Sequence, residues 1–218
     1  MQYKTIVFDL DGTITDSGDG IIHSVLYALN KMHVKEPKQS ELKSFIGPPL
    51  KDSFINICQL DDTSADQAVG YYRDYYQAKG MYENHIYEGI PTVLTDLKQK
   101  GCTLYIATSK PEIYAKQILA HFDLDQYFTG IYGASLDGIR SKKGDVIHYA
   151  LKEAKLTQLE KTIMVGDRSH DIVGAKENKL ASIGVLYGFG DRVELETAGA
   201  DYIAVTPEEL KEIITKSK

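Results

Sequence analysis

The sequence predicts an α/β protein, a doubly wound parallel sheet interrupted by an inserted all-helical cap. Two observations carry this. From about residue 86 onward, short apolar strand-like runs alternate with helical runs, which implies parallel βαβ units. After the first strand-like run, by contrast, residues 16–85 carry helical patterns and no strand signal. The expected organisation is therefore an α/β core of residues 1–15 and 86–218 with a helical cap of residues 16–85. Hinges are expected near Thr15 to Gly18 and Glu83 to Gly89.

Each element has a local reason. Residues 3 to 8 form a short apolar strand bounded by Asp9-Leu10-Asp11-Gly12. Ile22, Val25, Leu29 and Met32 then recur at spacings of 3, 4 and 3, one face of a helix. Glu41 to Phe45, Leu50 to Leu60 and Ser64 to Lys79 read as further helices, the first pair broken by Gly47-Pro48-Pro49. Ser64 is the expected N-cap of the third, and Gly80 its stop. Beyond the cap, helix Pro91 to Gln99 stops at Gly101, and strand Thr103 to Ala107 follows. Helix Pro111 to His121 has proline in its first turn. The remaining strands are Tyr127 to Tyr132, Thr162 to Val165, Ser182 to Leu186 and Tyr202 to Val205, with helices Asp145 to Lys155 and Ile172 to Asn178 between them and a last helix from Pro207.

Composition narrows the function. With 218 residues and 43% apolar residues, the chain can bury a large core and is not disordered. A net charge of -6 without a Lys/Arg-rich run disfavours nucleic acid and anionic membranes. No apolar run is long enough to span a bilayer, and Met1 to Leu10 does not resemble a signal peptide. Cys58 and Cys102 lack metal spacing and read as reduced thiols, so the expected location is the cytoplasm. The expected oligomeric state is a monomer or homodimer.

Open α/β sheets bind ligands at the carboxyl ends of their strands. Asp9 and Asp11 follow the first strand, Thr108 and Ser109 the second, Lys142 and Lys143 the third after a loop, and Asp167 and Asp171 the fourth. Clustered carboxylates repel one another unless a cation neutralises them, and oxygen-only ligands suit Mg²⁺. A carboxylate can attack phosphorus, a neighbouring acid can shuttle the proton, and a hydroxyl and an ammonium can hold the phosphoryl oxygens. Singly, each residue has a plainer role: Asp11-Gly12 a turn, Thr108-Ser109 a helix cap, Lys142-Lys143 a solvated pair, Asp171 a helix start. The convergence of all of them at one rim overturns those roles.

These residues resemble the haloacid dehalogenase superfamily of phosphohydrolases. Asp9-Leu10-Asp11-Gly12-Thr13 matches its D-x-D-G-T signature, Thr108-Ser109 its second motif, Lys143 its third, and Gly166-Asp167-Arg168-Ser169-His170-Asp171 its fourth, G-D-x-x-x-D. The cap position resembles subfamily I. Phe45-Ile46-Gly47-Pro48-Pro49-Leu50 and Tyr187-Gly188-Phe189-Gly190 resemble the phosphoglycolate-phosphatase-like branch. The resemblance implies Asp9 as nucleophile and Mg²⁺ ligand. It implies Asp11 as acid and base, binding Mg²⁺ through its backbone carbonyl, and Asp167 and Asp171 as further metal ligands, Asp171 through water or by orienting Lys143. Thr108, Ser109 and Lys143 would bind the phosphoryl group, with Lys142 the alternative lysine. Gly12 would turn the chain tightly, and backbone N–H groups after Asp9 would hold phosphate oxygens. The implied substrate is a small phosphorylated metabolite, 2-phosphoglycolate first, with 5'-nucleotides and pyrophosphate as rivals.

Other candidates rank lower. Tyr71, Tyr72, Tyr75 and Tyr76 read as cap core with an amphipathic rim, and His23 as packed or solvated. His170 reads as surface decoration, and Lys51 and Arg73 as cap cations to test against substrate.

Overall fold

The computed structural model describes residues 3–216. Strand β1 (Thr5–Phe8) and a two-residue strand β2 (Thr15–Asp16) precede helices α1 (Gly18–Lys31), α2 (Gln39–Leu42), α3 (Leu50–Cys58) and α4 (Asp62–Ala78). A second two-residue strand, β3 (His85–Ile86), pairs with β2. The chain continues through α5 (Ile90–Gln99), β4 (Thr103–Pro111), α6 (Glu112–His121), β5 (Gly130–Ala134) and α7 (Lys143–Glu153). It ends with β6 (Thr162–Gly166), α8 (Ser169–Glu177), β7 (Ala181–Val185), α9 (Arg192–Ala198), β8 (Tyr202–Ala204) and α10 (Pro207–Thr215).

The chain divides into two compact units, Met1–Thr15 with Ile86–Lys218, and Asp16–His85. The larger unit holds a six-stranded sheet in the order β5-β4-β1-β6-β7-β8. Every pairing in it is parallel. A parallel sheet covered on both faces buries its central strand twice over, which is why Ile6, Val7 and Phe8 form a continuous apolar run rather than an alternating one. On one face Val7, Tyr105, Ala107 and Met164 meet Val146, Ile147 and Ala150 of α7 and Ala175 of α8. Right-handed crossovers put α5 on the other face, where it packs against α10. Fully burying Phe8 contributes about 2–3 kcal/mol relative to exposure.

In the smaller unit, α1 and α4 pack together and α3 packs on α4. Phe45 and Phe54 meet edge to face at 5.1 Å, and Tyr72 stacks on Tyr76 at 5.4 Å. Tyr72 and Tyr76 are buried, whereas Tyr71 and Tyr75 are half-buried, as expected of a core with a rim.

Several expected boundaries move for local reasons. Residues 15–16 and 85–86 are extended, not helical. The N-cap of α4 is Asp61, whose carboxylate accepts from the Ser64 amide at 2.8 Å; Ser64 lies inside the helix. β4 runs on through Pro111, so that proline precedes α6 instead of lying in its first turn. α7 and α8 each begin two or three residues earlier than their apolar spacing indicates, because their first turns are polar. α9 has no counterpart in the sequence reading; its seven residues bury only Leu195 and give no periodic signal.

Candidate active site

β1 lies between β4 and β6, where the strand order reverses, so the residue following it emerges at the switch point of the sheet. That residue is Asp9. Its amide donates to Val165 O at 2.8 Å, and its side chain is 7% exposed. The loop beyond it winds tightly: the amides of Ile14 and Thr15 donate to Leu10 O at 2.9 and 3.0 Å. Gly12 has φ +82°, and a Cβ there would lie 2.1 Å from Asp167 Oδ2, so only glycine fits. The Gly12 amide donates to Thr15 O at 2.7 Å. Gly12 thus contributes its turn and the close approach of Asp167.

Asp167, at the end of β6, is fully buried. Its Oδ2 accepts from the Phe189 amide at 2.8 Å and its Oδ1 from the Thr13 hydroxyl at 3.4 Å. Both donors are neutral. Burial, then the negative charges of Asp171 and Asp9, push this carboxyl well above the usual range. Asp171, in the first turn of α8, accepts from the Arg168 amide at 3.0 Å through Oδ2. Burial works against its charge, but Lys143 and His170 outweigh burial and hold its carboxyl low.

Lys143 is the first residue of α7 and is buried, while Lys142 is exposed. Its ammonium lies 2.6 Å from Asp9 Oδ1, 2.8 Å from Asp171 Oδ1 and 3.2 Å from Ala107 O. Three donors thus find three oxygens. Of the two lysines, Lys143 is the one whose ammonium meets the acids. Burial disfavours its charge, but Asp171 and Asp9 reverse this and hold it above the usual lysine value. Asp9 goes the other way: burial raises it to about 6, against the pull of Lys143 and with the push of Asp171 and Asp11.

Thr108 is buried on β4, where its hydroxyl accepts from the Lys110 amide at 3.2 Å. Ser109 is half-buried. Asp11 pairs through Oδ2 with the Lys110 ammonium at 3.0 Å. Lys110 is absent from the sequence reading because Thr-Ser-Lys-Pro reads as a cap after a strand ending at Ala107. Nothing local marks Lys110, because β4 is irregular between Thr108 and Pro111 and period two does not carry across that irregularity. His170 is half-buried beside Asp171, not surface decoration, and burial lowers its imidazole. Lys51 is bound to Asp62 and Asp66 of α4 at 3.0 and 2.9 Å.

One carboxylate oxygen each from Asp9, Asp167 and Asp171 lie within 4.8 Å of one another. Asp9, Asp11, Asp167 and Asp171 oppose the two ammoniums of Lys110 and Lys143, an excess of two negative charges when all are ionised. This buried, oxygen-only cluster fits a divalent metal ion.

With this arrangement in view, the comparison with known proteins is decisive: the haloacid dehalogenase-like hydrolase pattern matches residues 6–185. The chain belongs to that family. It is 45% identical over 195 residues, 89% of this chain and 88% of the other, to a 5'-nucleotidase of Pseudomonas aeruginosa. It is 39% identical over 214 residues, 97% of this chain and 72% of the other, to the tyrosine-protein kinase PtkA of Mycobacterium tuberculosis. Among solved structures, a "predicted phosphatase" from Clostridium acetobutylicum superposes with a TM-score of 0.93 at 49% identity, covering 98% of this chain and 99% of the other. No helix among the described residues of this hydrolase is long and apolar enough to cross a membrane.

Proposed function

We propose that this hydrolase is a Mg²⁺-dependent phosphomonoesterase that works through an aspartyl-phosphate on Asp9. The observation that carries the proposal is the meeting of the Asp9, Asp167 and Asp171 oxygens within 4.8 Å, with Lys143 at 2.6 Å from Asp9. Asp9 attacks phosphorus, and Asp11 gives a proton to the leaving oxygen and later takes one from the attacking water. Thr108, Ser109 and Lys143 bind the phosphoryl oxygens, and Asp171 orients the lysine. Mg²⁺ would be held by Asp9, Asp167 and the backbone carbonyl of Asp11, with Asp171 acting through water or through Lys143, and it would screen the incoming anion from the charge of the nucleophile.

The substrate is a small phosphorylated metabolite. The P. aeruginosa relative supports a nucleoside 5'-monophosphate, and 2-phosphoglycolate and pyrophosphate are the other esters and anhydrides to test. A second reading, transfer of a phosphoryl group to tyrosine, has the PtkA relative behind it. Phosphate release from a panel of these compounds, measured with Mg²⁺ and after chelation, separates the readings. Release from at least one ester is expected, lost in EDTA and restored by Mg²⁺. Asp9→Asn is expected to lower it by about 10⁴-fold or more, as loss of a covalent nucleophile does. Wild-type rates in Asp9→Asn overturn the nucleophile. Phosphotyrosine formed from ATP, with no phosphate release from any ester, favours the kinase reading.

A further inference from the structure

Lys110 owes its place to an irregularity in the sheet. Along β4 and β5, Thr108 pairs with Gly133 and Pro111 with Ala134, so Ser109 and Lys110 are extra residues on one strand. Such a bulge bends the strand and re-aims its side chains. Two contacts hold it: the Lys110 amide donates to Thr108 Oγ1 at 3.2 Å, and the Gly133 amide to Glu112 Oε2 at 3.3 Å. Gly133 permits the close approach, since a Cβ there would lie 2.6 Å from Lys110 O and from the Glu112 amide. The re-aimed side chain is 6% exposed, and its ammonium reaches Asp11 Oδ2 at 3.0 Å. The other oxygen, Asp11 Oδ1, is buried and has no hydrogen-bond partner.

Burying two opposite charges is poor economy for stability, because desolvation offsets most of their attraction. What the ion pair achieves is discrimination between two equivalent oxygens. We infer that Lys110 is a positioning residue that holds Asp11 by Oδ2 and so reserves Oδ1 for exchanging protons with the leaving and attacking oxygens. The inference rests on the aspartyl-phosphate reading. In the first half-reaction a bond forms from an Asp9 oxygen to phosphorus, the bond to the leaving oxygen breaks, and the proton on Asp11 Oδ1 passes to that oxygen. In the second, water oxygen bonds to phosphorus, the bond to Asp9 breaks, and one water proton returns to Asp11 Oδ1. Both transfers use the same oxygen, and Lys110 acts on them through its contact with Asp11.

The test compares Lys110→Met and Lys110→Arg with the wild-type enzyme in Mg²⁺, using rapid-mixing kinetics. p-Nitrophenyl phosphate needs no proton on its leaving group, whereas an alkyl ester such as a nucleoside 5'-monophosphate does. For Lys110→Met with the aryl ester, a burst near one p-nitrophenolate per chain is expected, then steady turnover lower by about 10²-fold, the scale of one general acid–base contribution. With the alkyl ester the burst disappears, because the first step slows as well. Lys110→Arg is expected to return steady turnover to within about tenfold of wild type, since it keeps the charged contact. Where the methionine variant misfolds by circular dichroism, Lys110→Gln takes its place. Wild-type turnover in the Met variant, or equal losses on both esters with no burst, overturns the inference. Absence of any phosphorylated chain, by mass spectrometry of quenched wild type and variants alike, points instead to failure of the aspartyl-phosphate reading.

Discussion

At the scale of single residues, Asp167 is the acid whose ionised form is least compensated in the site. Its partners are an amide and a hydroxyl, and it lies near two other acids. Asparagine keeps the shape and an oxygen for the Phe189 amide while removing the charge. Asp167→Asn is therefore expected to raise the melting temperature of the metal-free protein, by about 2–4 °C for each kcal/mol recovered, and to abolish the further rise on adding Mg²⁺. Calorimetry with and without Mg²⁺ measures both, and an undiminished Mg²⁺ effect in the variant contradicts the ligand role. The acids were legible in the sequence because each stands directly after an apolar strand or within two turns of one. Lys110 was not, because a bulge is set by the partner strand, and nothing in Thr-Ser-Lys-Pro alone reports Gly133.

At the scale of elements, the segment after β7 acts as a clasp across two others. Phe189 tethers Asp167 of the β6 turn, and the Tyr187 hydroxyl donates to Thr13 O of the β1 turn at 3.2 Å. Tyr187 also meets Tyr87 edge to face at 5.2 Å, a contact that phenylalanine would preserve. Tyr187→Phe should then cost about 1 kcal/mol, the net worth of one hydrogen bond, read as a lower denaturation midpoint at unchanged slope in urea. A midpoint equal to wild type would mean that the hydroxyl does not brace the turn. In the sequence, Tyr187-Gly188-Phe189-Gly190 was visible only as a resemblance. Its reach is tertiary, to residues more than 150 positions earlier in one case. The long amphipathic helices and the apolar strands were legible because periodicity is local. Short α9 and the two-residue strands were not, because each depends on what it packs against.

At the scale of the whole molecule, the buried acids set how stability varies with pH. Asp9 is raised to about 6 and Asp167 well above its usual value, so the native protein holds protons that the unfolded chain has released. Stability of the metal-free protein should accordingly fall as pH rises from about 4, where unfolded aspartates titrate, to about 6, the two acids outweighing the single His170, whose lowered imidazole acts with the opposite sign. Mg²⁺ favours the ionised carboxylates and is expected to flatten that slope. Melting curves from pH 4.5 to 7, in EDTA and in Mg²⁺, check the sign; a metal-free melting temperature that climbs through this window refutes it. The sheet order has a consequence of another kind. Thr5 of β1 pairs with Thr103 on one side and Thr162 on the other. β1 therefore waits for neighbours that follow at 5–20 residues per second, about 8–30 s for the second of them. During that interval Ile6, Val7 and Phe8 have no sheet to enter, whereas α1 and α4 can already meet through contacts closer in sequence. The helical insertion is thus complete on the ribosome while the strand bearing Asp9 is still an apolar segment without its neighbours.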